Sequence, residues 1–313
     1  MTLTAIILTF NEEKHLARCI ESLAGLVDVI VVADCFSTDA TRAIARAHGA
    51  RVVQRAWVNH ATQFNWALTQ LDAGTAWVLR IDADEVLTPE LAAALRARLP
   101  VLGPEIDGVT FGRRMTFQGR LIRWGGVFPV QVLRVFRYGR GECENRWMDE
   151  HIKVAGPTIA VPGELIDDNL QPLTWWTDKH NHYASREAVD LLNLAYGFMP
   201  HDTVANLGGG QAGVKRWVKE AVYARLPGGF RALTYFFYRY VIRLGFLDGQ
   251  AGTAFHFLQG FWYRYLVDAK VAEVRRYMAA SGCDVVEAIW RVLGVDVLPE
   301  GQRLGERGGK ARL

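Results

Sequence analysis

The stretch AWVLRIDADEVLTPEL, residues 76–91, opens with strand-like residues and then sets Asp82, Asp84 and Glu85 within four positions. Two carboxylates about 6 Å apart at an effective dielectric of about 20 repel by about 3 kcal/mol. A chain that accepts this at the mouth of a buried strand needs something to offset it. In an extended segment residues i and i+2 project to the same side, so Asp82 and Asp84 can face one cation, directly or through water. Mg²⁺ and Mn²⁺ suit such a site, because they take one or two carboxylates and fill their other positions with phosphate oxygens. A solvated acidic turn ahead of a helix N-terminus, where acids are favoured, explains the triplet equally well.

Upstream, β-branched runs recur at 3–9 (LTAIILT), 29–33 (VIVVA), 51–54 (RVVQ) and 77–81 (WVLRI). Between them lie helical patterns: NEEKHLARCIESLA, DATRAIARAHG and HATQFNWALTQLD. Asn11 and Asp39 fit N-caps, and Thr88-Pro89 reads as an N-cap followed by proline at the first helical position, opening PELAAALRARL. Strands alternating with helices at this spacing predict an α/β fold, with a mostly parallel central sheet and helices on both faces. Ligands of such sheets bind outside the carboxyl ends of the strands. The polar clusters fall there: Thr9 and Asn11 after the first strand, Asp34, Ser37 and Asp39 after the second, Asp82 and Asp84 after the fourth. No GxGxxG follows the first strand and no GxxxxGK[ST] occurs, so neither a dinucleotide site nor a P-loop is indicated.

Composition bounds the rest. The chain has 313 residues, half of them hydrophobic, enough for one large or two modest domains. Residues 1–200 carry 20 basic and 23 acidic groups, whereas residues 201–313 carry 16 and 10. A slightly acidic front and a basic back point to two jobs, the second with an anionic partner. Cys19, Cys35, Cys143 and Cys283 show no metal-ligand spacing and read as free thiols. The N-terminus carries no export signal and no apolar run reaches the roughly 18 residues of a membrane span, so a cytoplasmic location is expected.

Several ordered motifs over residues 3–90 together resemble the inverting family 2 glycosyltransferases of the GT-A fold: IILTFNEEKHLARCIESL, VVADCFSTDAT, NHATQFNWAL and LRIDADE. Further on, RLIRWGGVFPVQVLRVFR is similar to a Gly-x-x-Pro…Arg-x-Phe segment of bacterial lipopolysaccharide-core glycosyltransferases. In that subgroup a His-Glu pair follows; here WMDEHIKVAG has Glu150 six residues before Gly156, with Asp149 in the place of the histidine. The resemblance implies a nucleotide-sugar donor, often a UDP-sugar, and one displacement at the anomeric carbon. Thr9, Asn11 and Glu12 would line the nucleotide pocket, Asp39 would bond the base, and Asp34 and Asn65 would help to hold the donor. Asp84 would be the main contact to Mg²⁺ or Mn²⁺, and Asp82 would meet the ribose or metal-bound water. Glu150, or Asp149, would be the base. The implied acceptor is a bacterial envelope glycan or glycolipid: lipopolysaccharide core, capsule or exopolysaccharide.

Beyond the motifs, Trp175 and Trp176 stand beside Lys179 and His180, a pairing of aromatic faces and polar groups that suits a pyranose acceptor or, equally, a helix packed on a sheet. The expected organisation is a catalytic domain over 1–200, a basic, aromatic helical region over 201–300 and a disordered tail over 301–313. In the helical region, residues 211–243 hold seven basic groups against one acid, Glu220. An apolar, arginine-studded surface of this kind fits the inner face of the cytoplasmic membrane; a domain-closing helical pair or a dimer seam would also use the aromatics. No nucleic-acid-binding motif accompanies the charge. Among other functions, a sugar nucleotidyltransferase would need a Gly-rich basic loop where TFNEE stands. An aspartyl-phosphate phosphatase would carry its Asp-x-Asp on the first strand. A non-catalytic carbohydrate- or membrane-binding module remains the alternative if Glu150 is not placed to act.

Overall fold

The computed structural model describes residues 2–128, 130–144, 151–199 and 229–298. The chain forms two compact units. The first takes residues up to 144 together with 151–172 and 244–252; the second takes 173–199, 229–243 and 253–298. The break after Pro172 lies ahead of the boundary expected at residue 200. The proposed glycine hinge near 207–210 and the tail over 301–313 fall outside the described residues.

The four anticipated strands form as β1 (Thr2–Thr9), β2 (Val29–Asp34), β3 (Arg51–Gln54) and β4 (Thr75–Asp82). The helices between and after them are α1 (Leu16–Ser22), α2 (Thr41–Ala47), α3 (His60–Leu68) and α4 (Pro89–Arg98). Seven further strands follow: β5 (Glu85–Leu87), β6 (Gly108–Phe117), β7 (Arg120–Ile122), β8 (Val130–Arg137), β9 (Gly141–Cys143), β10 (Ile152–Val154) and β11 (Thr158–Asp167). Among the described residues, the main sheet runs β3-β2-β1-β4-β8-β6-β11-β5, with β7 on β6, and β9 pairs with β10 separately.

Parallel pairing holds across β3-β2-β1-β4 and between β6 and β11, whereas β4–β8, β6–β8, β6–β7 and β11–β5 are antiparallel. The sheet is therefore mixed, not mostly parallel throughout. The sequence linking β6 to β8 contains no helical crossover, and strands joined by such a short return pair antiparallel.

β1 is buried on both faces, as a central parallel strand should be. Leu3, Ala5 and Ile7 pack with Leu16, Cys19 and Ile20 of α1, Ala45 of α2 and Leu91 and Leu95 of α4. Ile6 and Leu8 face the other way, onto Ala61, Phe64 and Ala67 of α3 and Cys143 and Ile152 of the small sheet. Helices thus cover both faces, as expected.

Two of the three expected helix caps are corrected. The N-cap of α1 is His15 and that of α2 is Ala40, neither with a side-chain cap bond. Asn11 lies too far upstream and adopts φ 57°, a left-handed conformation that Asn tolerates. Asp39 makes a turn instead, accepting from Thr41 N at 3.0 Å. Thr88 caps α4 as predicted, its hydroxyl accepting from Leu91 N at 3.3 Å.

The second unit is helical: α5 (Leu173–Tyr196), α6 (Phe230–Phe237) running into a π-helical turn at 238–242, α7 (Gly249–Phe255, whose first residues belong to the first unit), a π-helical stretch at 256–262, α8 (Tyr263–Ser281) and α9 (Val285–Leu293). Val189 and Leu192 of α5 pack with Val274 of α8 and Ala288 and Ile289 of α9. Glu187 on α5 accepts from the Tyr263 hydroxyl at 2.7 Å and from Arg264 at 2.5 Å.

Gly163 interrupts the β11–β6 register, with φ at +97°. A Cβ there would sit 2.4 Å from the backbone nitrogen of Leu91 at the start of α4. Gly163→Ala is expected to destabilise the protein by about 1–3 kcal/mol, from left-handed strain and overpacking together. A thermal melt checks this; an unchanged midpoint would mean that α4 docks differently.

Candidate active site

Register brings the strand ends together. Thr9 pairs with Asp34 across β1–β2, and Leu8 pairs with Asp82 across β1–β4, so three of the predicted positions share one sheet edge. The loops leaving β1 and β2 are stitched to each other. Asn11 N donates to Ser37 Oγ at 2.9 Å, Thr38 N to Asn11 Oδ1 at 2.9 Å and Glu12 N to Thr41 Oγ1 at 2.7 Å. Glu13 N donates to Asp39 Oδ2, and Ala40 N returns the bond to Glu13 Oε2, both at 3.1 Å. Slight burial of Asp39 opposes its charge, but the bonds from Thr41 and Glu13 hold its carboxyl below the ordinary range.

Asp34 is fully buried beneath this stitching. Its carboxylate accepts from Thr9 Oγ1 at 3.1 Å, Ser37 N at 3.0 Å, Gln54 Nε2 at 2.9 Å and the Ser37 hydroxyl. Four donors fill a carboxylate's acceptor sites. Asp34 and the Thr9 hydroxyl therefore anchor the loops from below. Glu12 accepts from His15 Nδ1 at 2.6 Å. His15 Nε2 accepts from Leu170 N at 2.9 Å, so Nδ1 is the nitrogen that carries the hydrogen. Phe10 and Phe36, at the tips of the two loops, are more than half exposed.

Asn65 is tied into the fold. Its amide nitrogen donates to Cys143 O and its oxygen accepts from Cys143 N, each at 2.8 Å. That pair of bonds clamps β9 onto α3.

At the end of β4 the expected geometry changes. Residues 83 and 84 form a turn into β5, so strand alternation does not align Asp82 with Asp84. Asp82 turns to cations in the protein itself: Arg134 Nη2 on β8 lies 3.1 Å from its Oδ2, and Arg80 Nε lies 3.8 Å from its Oδ1. Arg134 also donates to Glu85 Oε1 at 2.7 Å, and Asp82 N donates to Glu85 Oε2 at 2.9 Å. Burial works against the Asp82 charge, but Arg134 and then Arg80 outweigh it and hold the carboxyl far below its usual range. Burial, opposed by Arg134 and reinforced by the Asp82 charge, pushes Glu85 up to about 8. The repulsion posed by the acid triplet is thus offset mainly by arginine.

Asp84 is half-buried. Its Oδ2 accepts from Asn169 Nδ2 at 2.9 Å, and its carbonyl accepts from Asp168 N at 3.0 Å. Antiparallel pairing of β5 with β11, Glu85 opposite Asp167, brings residues 167–169 alongside. Asp168 is fixed by Arg18 at 2.5 Å and by the Thr116 hydroxyl, and these bonds outweigh its burial to lower its pKa.

Among the described residues, no three His, Cys, Asp or Glu side chains converge as a complete cation site. Two features nonetheless fit a hard divalent ion that retains outside oxygen ligands. Asp82 Oδ1 is buried without a hydrogen bond, and the second oxygen of Asp84 takes none among the described residues.

Arg80, Arg134, Asp168 and Asn169 were not picked out from the sequence. The available signal was arginine inside otherwise apolar strands, LRI and LRVF, since charges are almost never buried unless paired. Asp149 and Glu150 lie outside the described residues. Trp175, Trp176, Lys179 and His180 belong to α5 in the second unit. There His180 stacks on Trp176 with ring centroids 3.5 Å apart, and Lys179 lies 4.6 Å from the Trp175 ring. Burial lowers the His180 pKa to about 4, leaving a neutral packing group.

Two outcomes test the network. Arg134→Met leaves the Asp82 carboxylate without its main cation and Glu85 without a hydrogen-bond donor, and is expected to cost about 3–5 kcal/mol in a denaturant titration. Because the folded pKa of Glu85 is raised, the folded state holds a proton that the unfolded state releases. Its contribution is full below about pH 4.5 and falls away as pH rises toward 8. Subtracting the stability–pH profile of Glu85→Gln from that of the parent should leave a curve declining across that window; a flat difference would show an ordinary Glu85.

Residues 4–149 match the family model described as "Glycosyl transferase family 2". A lipopolysaccharide core biosynthesis glycosyltransferase, LpsC, of Rhizobium meliloti is 34% identical over 153 residues, 46% of this chain and 54% of that protein. An uncharacterized glycosyltransferase of Rickettsia felis is 40% identical over 89 residues, 28% of this chain and 31% of that one. The chain thus spans about half or less of the length of these relatives. Glucosyl-3-phosphoglycerate synthase from Mycobacterium tuberculosis, solved with Mn²⁺, UDP and glucosyl-3-phosphoglycerate, matches 36% of this chain and 44% of its own, at 28% identity and a TM-score of 0.31. That superposition is too partial to carry its ligands across. The family match, falling on the strands and loops that build the carboxylate edge, makes residues 4–149 a family 2 glycosyltransferase domain.

Proposed function

We propose that the protein transfers a sugar, with inversion, from a nucleoside diphosphate donor, UDP in the first instance, to a hydroxyl of a bacterial envelope glycan or glycolipid. The observation that carries this reading is Asp84. Within a family 2 domain, it stands at the carboxyl edge of the sheet with one carboxylate oxygen held by Asn169 and the other uncommitted among the described residues. The likeness to a lipopolysaccharide-core enzyme supports the acceptor class.

Asp84, with Asp82 directly or through water, would hold Mg²⁺ or Mn²⁺. Such an ion supplies charge neutralisation to the departing diphosphate when bound. The stitched β1 and β2 loops offer backbone and the Asn11, Glu12 and Asp39 side chains to the nucleotide, and the exposed rings of Phe10 and Phe36 offer stacking faces to the base. Arg134 keeps Asp82 ionised and oriented. Glu150, or Asp149 beside it, takes the proton of the acceptor hydroxyl as its oxygen bonds to the anomeric carbon. The bond to the diphosphate breaks on the opposite face, so an α-linked donor gives a β-linked product and free nucleoside diphosphate.

Thermal shift tests the donor half: UDP with Mn²⁺ at about 100 times its dissociation constant should stabilise the protein by about 2.7 kcal/mol, UDP alone by much less. Asp84→Ala should erase the difference. A metal-independent response across a panel of nucleoside diphosphates would overturn the assignment. For the base, Glu150→Gln should lower donor hydrolysis and transfer roughly 10²–10⁴-fold with donor binding intact; the same loss in Asp149→Asn alone would move the role to Asp149.

A further inference from the structure

Helix α6 and the π-helical turn that continues it, residues 230–242, present a stripe of large apolar side chains to solvent. Phe230, Leu233, Phe237, Tyr238, Val241 and Ile242 are each 40–59% exposed. Their spacing of three, four and one is that of a single helical face. The opposite face is fully used inside the second unit. Ala232 is buried, and Arg239 is buried with its guanidinium on Gln259 and 5.4 Å from the Phe255 ring. Phe236 meets Phe257 edge-on, with centroids 6.0 Å apart. The exposed stripe is therefore a second apolar surface on a helix whose core contacts are already made.

Its chemistry selects a partner. Residues 229–267 contain four arginines and one acid, Asp248. Asp248 is committed to the backbone amides of Arg123 and Trp124, at 2.9–3.1 Å. Arg231 and Arg264 are paired with Asp268 and Glu187, whereas Arg243, at the end of the stripe, is exposed. The stripe itself offers almost nothing to hydrogen-bond. The Thr234 hydroxyl is spent on Phe230 O at 2.9 Å, leaving Tyr238. A protein–protein interface makes about one hydrogen bond per 100–200 Å² and would leave a partner's polar groups unmet here. Hydrocarbon asks for none. No helix among the described residues is long and apolar enough to cross a membrane, and 13 residues span only about 20 Å. An amphipathic helix of this kind lies in the interface plane.

We propose that residues 230–242 dock on an anionic phospholipid bilayer, with the six apolar side chains in the acyl boundary and Arg243 among the headgroups. This deepens the proposed function by naming the surface that brings the domain to a lipid-borne acceptor, and it can fail without affecting donor chemistry.

The full chain is sedimented with vesicles of phosphatidylcholine containing one quarter phosphatidylglycerol, and with phosphatidylcholine alone. Binding to the mixed vesicles is expected, weakened at least about tenfold in Phe237→Ser/Val241→Ser. Arg243→Gln should weaken it roughly fivefold, with a shallower salt dependence. The altered side chains are exposed, so melting midpoints and donor hydrolysis should not change. If the double variant does not fold, Leu233→Gln alone must still reduce binding. Three results would each overturn the proposal: no binding to mixed vesicles, binding indifferent to the apolar substitutions, or a wild-type dimer in light scattering that the double variant splits, which would give the stripe to a second copy. Loss of vesicle binding alongside intact donor hydrolysis would leave the transferase assignment in place.

Discussion

The guanidinium of Arg134 holds the edge of the sheet together. It lies between Asp82 and Glu85, two acids that follow one another within four residues and would repel if left alone. Because it comes from β8, it reaches them only where that strand runs antiparallel beside β4. The local charge problem in the sequence thus becomes a constraint on topology: the fold needs the strand order β1-β4-β8 to bring Arg134 beside a half-buried, ionised Asp82. A buried charge without its partner is far more costly than a surface pair is valuable, so the arrangement holds β4, β5 and β8 in one geometry.

Division of labour among the acids follows. Asp82 and Glu85 are absorbed by Arg134 and Arg80, while Asp84, one turn residue further on, is held on one side by Asn169 and remains open on the other. Asp34 plays the equivalent buried role beneath the first two loops, saturated by Thr9, Ser37 and Gln54. In both places a buried acid fixes the frame beneath half-buried polar groups, Asn11, Glu12 and Asp39 in one case and Asp84 in the other. Rigid support beneath such groups would suit the proposed site for a charged diphosphate, since preorganised groups need not reorganise as charge moves to the leaving group.

The helical unit solves a different problem. Its interior is closed by Val189, Leu192, Val274 and Ile289; Arg264 and Arg231 are matched by Glu187 and Asp268, and buried Arg239 rests on Gln259. On residues 230–242 it leaves a row of six large apolar side chains exposed, with no acid among them. The donor site proposed in one unit and the membrane-docking helix proposed in the other would together suit an enzyme that draws its donor from water and meets its acceptor on lipid.

The order of strands and helices up to residue 98, the Thr88 cap and the clustering of polar residues at the carboxyl ends of β1, β2 and β4 were all legible in the sequence. Each depends on local periodicity or on a single turn, which neighbouring residues decide. The antiparallel half of the sheet, the clamp of Asn65 on Cys143 and the turn that separates Asp82 from Asp84 depend on strands far apart in the chain. Sequence alone therefore determined a family-like α/β edge lined with acids and a basic, aromatic rear third. Only the tertiary structure decided which acids are held by Arg134 and Arg80 and which one, Asp84, is held by Asn169 instead, because a carboxylate's setting depends on the groups that long-range pairing brings within about 3 Å of it.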